Sequence, residues 1–169
     1  QPVFGAGIAT WKGKVEAGAM TADSKETTSR GKVVCHQILG GFWYMCDVED
    51  TYGSGKQAMT WKGHMVVGFD VNAKAYKATV ADNMGTLTQF DGALDGSKFT
   101  LETPSPVMMM GLLMKDRLSW DMSDPKAIKF TDEHQIGGEG DWKLAESATM
   151  MGVMKMVASK KGTGLHVPK

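Results

Sequence analysis

The feature that most constrains the fold is a pair of strand-like segments, residues 32–39 and 42–47, separated only by Gly40 and Gly41. Both segments are rich in β-branched, aromatic and sulfur-containing side chains, a composition typical of strands. Two consecutive glycines supply the positive φ angles that both central positions of a type I′ turn require. The sequence therefore predicts a β-hairpin with a two-residue turn.

The turn also predicts the register of this hairpin. With two residues in the turn, Leu39 pairs with Phe42, and Cys35 lies directly opposite Cys46 on one face of the hairpin. Counting outward from the turn makes the cysteines a hydrogen-bonded pair with Cα atoms about 5.5 Å apart, which is within the range of a disulfide. A disulfide is one interpretation of this pair, and two buried thiols that act as small hydrophobic side chains are the other.

Glycines separate further strand-like runs along the whole chain. The 21 glycines and 5 prolines punctuate runs of alternating or β-branched residues, and no run has helical periodicity long enough for a crossover between parallel strands. The sequence therefore predicts an all-β fold with little helix, an up-and-down antiparallel β-barrel of about 8–10 strands. We expect one domain over residues 1–156 and a flexible basic tail over residues 157–169. The predicted strands are 8–17, 31–39, 42–51, 55–69, 75–82, 86–91, 98–102, 112–121, 127–136 and 142–150.

The charge balance argues against several classes of partner. Lys plus Arg and Asp plus Glu number 19 each, so no net positive field attracts nucleic acid, and we expect none as a partner. No apolar run approaches the roughly 18 residues that a membrane-spanning helix needs, so no membrane span is expected. The chain begins at Gln1 without Met, as cleavage of a signal peptide or of a tag would leave it. We expect a periplasmic or secreted protein, with a cytoplasmic one as the alternative.

Several short motifs follow one another in a recognisable order. They are Gly7-x-x-x-Trp11-x-Gly13, Ile-Leu-Gly-Gly-Phe-Trp at 38–43, Gly-Phe-Asp at 68–70, Tyr76, Asp-Asn-Met-Gly-Thr at 82–86, Gly92, Arg117 and Glu146. This order resembles an uncharacterised bacterial lipocalin-like family, a calycin-type domain of unknown function, over roughly residues 9–150. The resemblance implies a barrel with an interior cavity, similar to fatty-acid-binding proteins and nitrobindin-like haem barrels, but no established activity. Those haem barrels bind iron through a histidine on a late strand, whereas His166 lies in the tail, and we expect no cofactor.

A barrel of this size encloses a space at its mouth in which a small molecule can bind. The leading hypothesis is therefore a carrier or sensor, monomeric or homodimeric, that binds a small hydrophobic or aromatic ligand. Arg117 is either the anion-binding group for such a ligand or one half of an ion pair with Glu146 or Asp82. The candidate lining residues are Trp43, Met45, Trp61, Met65, Phe69, Tyr76, Met84, Phe90, Arg117 and Trp120.

A second hypothesis is a cofactor-independent isomerase, lyase or hydrolase that acts in the same cavity. A histidine beside a carboxylate can serve as a general base, and the candidates are His36, His64 and His134 with Asp82 or Glu146. The sequence contains no nucleophile elbow, no His-Glu-x-x-His motif and no glycine-rich phosphate loop. Each histidine therefore also has a purely structural interpretation.

Methionine is the outlier of the composition, with 14 residues. Flexible, polarisable methionines suit a cavity that adapts to apolar ligands, and thioethers also select Cu(I). A third hypothesis is therefore a periplasmic Cu(I)-binding protein, although no other metal site is expected. Its candidate ligands are Met108, Met110, Met114, Met151 and Met154, for which ordinary packing is the alternative.

Overall fold

A computed structural model of the chain describes the backbone of residues 4–157 and the side chains of residues 7–152. The predicted tail lies outside the described residues except for Val157, which ends the last strand. The strands are β1 Phe4–Val15, β2 Thr27–Ile38, β3 Trp43–Tyr52, β4 Met59–Asp70, β5 Ala75–Asp82, β6 Leu87–Asp95, β7 Lys98–Glu102, β8 Val107–Met109, β9 Leu112–Asp121, β10 Ile128–Ile136 and β11 Lys143–Val157.

Ten of these strands form a closed antiparallel barrel, which confirms the predicted fold class. Neighbouring strands follow chain order, with β9 beside β7, and the pairings of β9 with β10 and of β11 with β1 close the sheet. Each of the ten predicted strands corresponds to one barrel strand. The short β8 pairs with β9 at one end of the barrel and has no counterpart among the predicted strands.

The hairpin formed by β2 and β3 has the predicted register but a different turn. Ile38 and Trp43 are the last paired residues, so the loop contains four residues, a short 3₁₀ turn over Leu39–Gly41 followed by Phe42. The predicted two-residue turn is therefore wrong. The hydrogen-bonded and non-hydrogen-bonded pairs alternate along a hairpin, so a loop that is longer by one residue on each side exchanges the two types.

This exchange explains the geometry of the cysteine pair. Cys35 lies opposite Cys46, as predicted, but the two Cα atoms are 4.1 Å apart instead of about 5.5 Å. This spacing belongs to the closer, non-hydrogen-bonded type of pair. The two residues form a disulfide, and both are buried.

Alternate residues of each strand point into the barrel and form one core. Trp11 packs directly over the backbone of Gly31 on the neighbouring strand, where a methyl group would lie 2.1 Å from a ring carbon of the indole. Five aromatic rings make successive contacts with centroid separations of 5.2–6.0 Å, in the order Phe69, Tyr76, Phe99, Trp120 and Phe130. The fully or nearly buried members of the core are Ala9, Trp11, Val33, Cys35, Tyr44, Cys46, Met65, Val67, Ala78, Phe90, Phe99, Leu101 and Ala148.

Among the residues that the structure describes, helical structure is limited to short 3₁₀ turns. Within residues 4–157, no helix has the length and apolar character that crossing a lipid bilayer would require.

Candidate functional site

Four carboxyl groups point into one end of the barrel. They belong to Asp50, Asp116, Asp132 and Glu146, and we call them the interior acid cluster. Asp50 lies near the end of β3 and Glu146 near the start of β11, whereas Asp116 and Asp132 lie in the middle of β9 and β10. Antiparallel strands bring these positions to the same end of the barrel. Asp50, Asp116 and Glu146 are at most 6% exposed, so their ionisation is opposed by loss of hydration.

One half of the cluster is centred on Asp50 and Glu146. The indole N–H of Trp11 donates a hydrogen bond of 3.2 Å to Asp50 Oδ1. Burial, the negative charge of Asp50 and a hydrogen bond to Asp50 together raise the pKa of Glu146 to about 9. Burial raises the pKa of Asp50 above its usual value, and the hydrogen bond from Glu146 opposes this rise. Glu146 is therefore the protonated partner at neutral pH, and it donates to Asp50.

Tyr52 completes this half of the cluster. Its hydroxyl hydrogen-bonds to Asp50, and burial together with the surrounding negative charges holds its pKa far above the usual value. The phenol is therefore a permanent hydrogen-bond donor at physiological pH. Ser29 is also buried here, and its Oγ has no hydrogen-bond partner among the described residues.

The other half of the cluster contains Asp116, Asp132 and His134. Asp116 and His134 are cross-strand partners, and Asp132 precedes His134 by two residues on the same face. His134 Nε2 is 3.3 Å from Asp132 Oδ1 and 3.8 Å from Asp116 Oδ1. Burial and the charge of Asp132 raise the pKa of Asp116 well above its usual value. Burial also raises the pKa of Asp132, to about 6.

No lysine or arginine neutralises the cluster from inside the described part of the barrel, where the buried polar residues are Ser, Thr, Asp and Glu. Arg117, which was expected to pair with Glu146 or Asp82 or to bind an anionic ligand, points outward because it follows the inward-facing Asp116. Its Nε lies 3.2 Å from Glu133 Oε1, and its guanidinium group stacks 4.1 Å from the centroid of the Trp142 ring. The predicted ion pair with Glu146 or Asp82 is therefore wrong.

The remaining histidine and aspartate candidates lie away from the cluster. His36 and His64 are exposed, and His64 contacts Asp47 on the outer face of the barrel. Asp82 ends β5 and accepts a hydrogen bond of 3.2 Å from the Trp61 indole. Although burial opposes ionisation, hydrogen bonds from Thr86, Trp61 and Met84 hold the pKa of Asp82 below its usual value. Of the predicted catalytic residues, the structure therefore brings only His134 and Glu146 into the acid cluster.

The predicted lining residues divide between the two faces of the wall. Met45 lies on the outer face of β3, Trp43 packs against Gly68 on that same face, and Met84 is an exposed turn residue. Arg117 also faces outward, as described above. The predicted lining residues that face inward are Trp61, Met65, Phe69, Tyr76, Phe90 and Trp120.

The methionine candidates do not form one group. Met114 is buried in the interior, whereas Met108, Met110 and Met151 are exposed. The side chain of Met154 lies outside the described residues. Thioether ligands for one ion would have to converge on one point, and the described methionines do not.

A depression of about 480 Å³ lies on the outer face of β11, β1, β2 and β3. Its polar wall includes Lys12, Arg30, Lys32 and Glu49, and its apolar wall includes the exposed Met151. None of the predicted lining residues contributes to its wall.

The architecture and the cluster can be compared with known proteins. A family described as "Protein of unknown function (DUF1579)" matches residues 6–153. The chain belongs to this family. The match includes all four residues of the acid cluster of this DUF1579 protein. No curated protein matches the chain.

Sequence reasoning missed Asp50, Tyr52, Asp116 and Asp132, although the sequence contained a signal for them. In an alternating strand, residues two positions apart share a face. Asp116 therefore shares its face with the apolar Met114, and Asp132 shares its face with Phe130. An acid at an inward position of such a strand indicates either a special partner or a raised pKa.

Proposed function

We propose that this DUF1579 protein binds a small amphipathic cation inside the acidic end of the barrel, with a protonated amine at the acid cluster and an apolar or aromatic body against the neighbouring rings. The observation that carries this proposal is a group of four inward carboxyl groups, Asp50, Asp116, Asp132 and Glu146, with no buried lysine or arginine among the described residues. Buried charges require a partner or a proton, and a cationic ligand supplies both positive charge and hydrogen-bond donors.

The surroundings of Asp50 support the same class of ligand. Trp11 and Tyr52 contact this carboxylate through their polar atoms, while their rings provide apolar surface beside it. Trp61 stands on the strand next to Asp50 in the sheet, as its direct cross-strand partner. Aromatic faces next to a carboxylate attract an organic cation by cation–π interaction as well as by charge.

The test compares two ligands that share one skeleton, 2-phenylethylamine and 3-phenylpropionate, in buffer that contains EDTA. Trp11 and Trp61 report binding because their indole groups lie at this end of the barrel. We expect saturable fluorescence changes with the amine and none with the carboxylate. Equal responses to both compounds, or no response to a panel of aromatic and aliphatic amines, would refute the proposal.

Two variants locate the binding site. Asp50→Asn keeps an acceptor for the Trp11 indole but removes the charge, so amine affinity is expected to fall about tenfold or more, given gross charge–charge terms of a few kcal/mol in partly buried sites. Asp91→Asn removes a carboxylate that pairs with Lys77 on the outer surface, and it is expected to leave amine affinity unchanged. Equal losses in both variants would place the binding elsewhere.

Proton transfer within the same site is the second candidate function. It is favoured by the Glu146–Asp50 pair, in which one carboxyl holds a proton at neutral pH and the other accepts from it. Such a division between two neighbouring carboxyl groups is typical of general acid–base catalysis. In that case Glu146→Gln would abolish turnover of a bound ligand, while the affinity of the variant for that ligand would change by less than threefold. A variant that retains turnover would exclude this role.

Three further expectations accompany this proposal; they concern cellular location, relationship to lipocalin-like proteins and oligomeric state. The Cys35–Cys46 disulfide supports a periplasmic or secreted location, because structural disulfides persist in oxidising compartments. The up-and-down barrel supports kinship with lipocalin-like proteins, in which ligands enter at the barrel mouth. A monomer or homodimer is expected, which sedimentation analysis with and without the amine would distinguish. Thiol alkylation of protein purified from its native cells, followed by mass measurement, tests the compartment.

A further inference from the structure

The half of the acid cluster formed by Asp116, Asp132 and His134 has the geometry of a metal site. The two carboxylates and the imidazole each offer one ligand atom, and these three atoms all lie within 4.8 Å of one another. His134 Nε2 is 3.3 Å from Asp132 Oδ1 and 3.8 Å from Asp116 Oδ1. Ligand atoms held about 2.1 Å from one ion stand roughly 3.0–3.4 Å apart in octahedral or tetrahedral geometry. Small side-chain movements would therefore bring all three atoms to one ion.

Apart from the hydrogen bond that joins the Asp116 and Asp132 carboxyl groups when one of them is protonated, the two carboxylate oxygens have no described partner outside the trio. Asp116 is 4% exposed, and neither its Oδ1 nor Asp132 Oδ1 has another hydrogen-bond partner among the residues that the structure describes. Buried polar atoms are almost always satisfied, so two unsatisfied oxygens that converge with an imidazole require an explanation. A bound cation would satisfy both oxygens and neutralise their charges.

The backbone holds Asp116 rigidly in this position. Its amide donates a hydrogen bond of 3.0 Å to Thr103 Oγ1, and its carbonyl accepts one of 3.0 Å from the Thr103 amide. On the outer face, the adjacent cross-strand pair of Arg117 and Glu133 joins the same two strands. The spacing of the three ligand groups is therefore set by paired strands, an arrangement that favours preorganised binding.

We propose that Asp116 Oδ1, Asp132 Oδ1 and His134 Nε2 bind one divalent transition-metal ion of the Mn²⁺ to Zn²⁺ series. One imidazole and two carboxylates suit this class, because imidazole nitrogen binds such ions better than Mg²⁺ or Ca²⁺, which prefer oxygen alone. Three protein ligands leave at least one coordination position for water or for a group that enters the barrel. This site does not depend on the amine binding proposed above, which is measured in the presence of EDTA.

The experiment uses the full chain after EDTA treatment and dialysis. Titration calorimetry with Zn²⁺ and with Mn²⁺ is expected to show one ion per chain, and Mg²⁺ at the same concentrations is expected to give no signal. Native mass spectrometry checks the stoichiometry independently. Absence of Zn²⁺ and Mn²⁺ binding up to millimolar concentrations would overturn the proposal.

Four variants test the identity of the ligands. Asp116→Asn and His134→Gln are each expected to weaken Zn²⁺ binding at least tenfold. Asp91→Asn removes an exposed carboxylate that pairs with Lys77, and His64→Gln removes an exposed histidine beside Asp47; both are expected to retain affinity within threefold. If His64→Gln abolished binding, or if all four variants bound Zn²⁺ equally well, the site would lie elsewhere on the surface and the proposal would be wrong.

A second measurement keeps the test valid if a ligand variant folds poorly. Zn²⁺ that binds only the folded state raises the melting temperature by mass action. We expect this rise in the wild-type protein and in Asp91→Asn, and no rise in any ligand variant that still gives a cooperative transition. A ligand variant with the full Zn²⁺-dependent rise would contradict the assignment.

Discussion

Replacing Glu146 with glutamine should remove a large part of the pH dependence of stability. Glu146 is 4% exposed and faces Asp50 on β3, while Asp132 on β10 adds negative charge to its surroundings. Burial and these charges raise its pKa from 4.5 to about 9 in the folded protein. Between these two values the folded protein retains a proton that the unfolded chain has released. Stability from this group is therefore fully present below about pH 4.5, falls as the pH rises, and is lost above about pH 9.

The magnitude follows from the two pKa values. Between pH 6.5 and pH 8.5, a group that titrates near 4.5 in the unfolded chain and near 9 in the folded protein reduces the free energy of unfolding by about 2–3 kcal/mol. This window lies above the pKa of about 6 that Asp132 has in the folded protein, so Asp132 contributes little to the slope there. A glutamine side chain has the same shape and cannot ionise, so the Glu146→Gln variant should lose this slope.

Urea unfolding followed by tryptophan fluorescence measures the effect at pH 6.5, 7.5 and 8.5. The wild-type midpoint should decrease steadily, and the Glu146→Gln midpoint should decrease less, with Asp116, whose pKa is also raised, responsible for the remaining slope. Glu49→Gln is the matched control, because Glu49 lies on the outer face in an exposed ion pair with Lys62; it should keep the wild-type slope. A wild-type midpoint that stays constant or rises over this range, or a Glu146→Gln slope equal to that of the wild type, would refute the reasoning.

Three other changes, two substitutions and the reduction of the disulfide, test what stabilises the barrel. Gly31→Ala should lower the free energy of unfolding by about 2–4 kcal/mol, because the new methyl would lie 2.1 Å from a Trp11 ring carbon. A loss below about 0.5 kcal/mol in urea unfolding, the scale of a neutral surface change, would contradict this packing. Reduction of the Cys35–Cys46 disulfide, which spans 11 residues, should destabilise the protein by about 3 kcal/mol, and the double serine variant should show no reductant-dependent change in melting temperature. Leu101→Ala should cost about 2–5 kcal/mol because Leu101 is fully buried, and an unchanged urea midpoint would show that its side chain is not in the core.

The sequence by itself determined the strands and the register of the hairpin formed by β2 and β3. Alternation and β-branched composition are properties of neighbouring residues, and glycine marks turns through its own backbone freedom. Each of the ten predicted strands therefore has a counterpart in the barrel, and Cys35 faces Cys46 as the turn position requires. The type of turn could not be predicted from the sequence, because two glycines permit both a two-residue loop and the longer loop over 39–42.

Only the tertiary structure decided which polar residues meet. Asp50 and Glu146 are 96 positions apart along the chain, and they come together because β11 pairs with β1 to close the barrel. Asp116, Asp132 and His134 converge because β9 pairs with β10 in one particular register. Alternation shows that an acid shares a face with apolar neighbours, but it does not show which other strands surround that face. Closure of the sheet is a non-local event and set the pKa of Glu146, whereas the register of β9 against β10 set the spacing of the three proposed metal ligands.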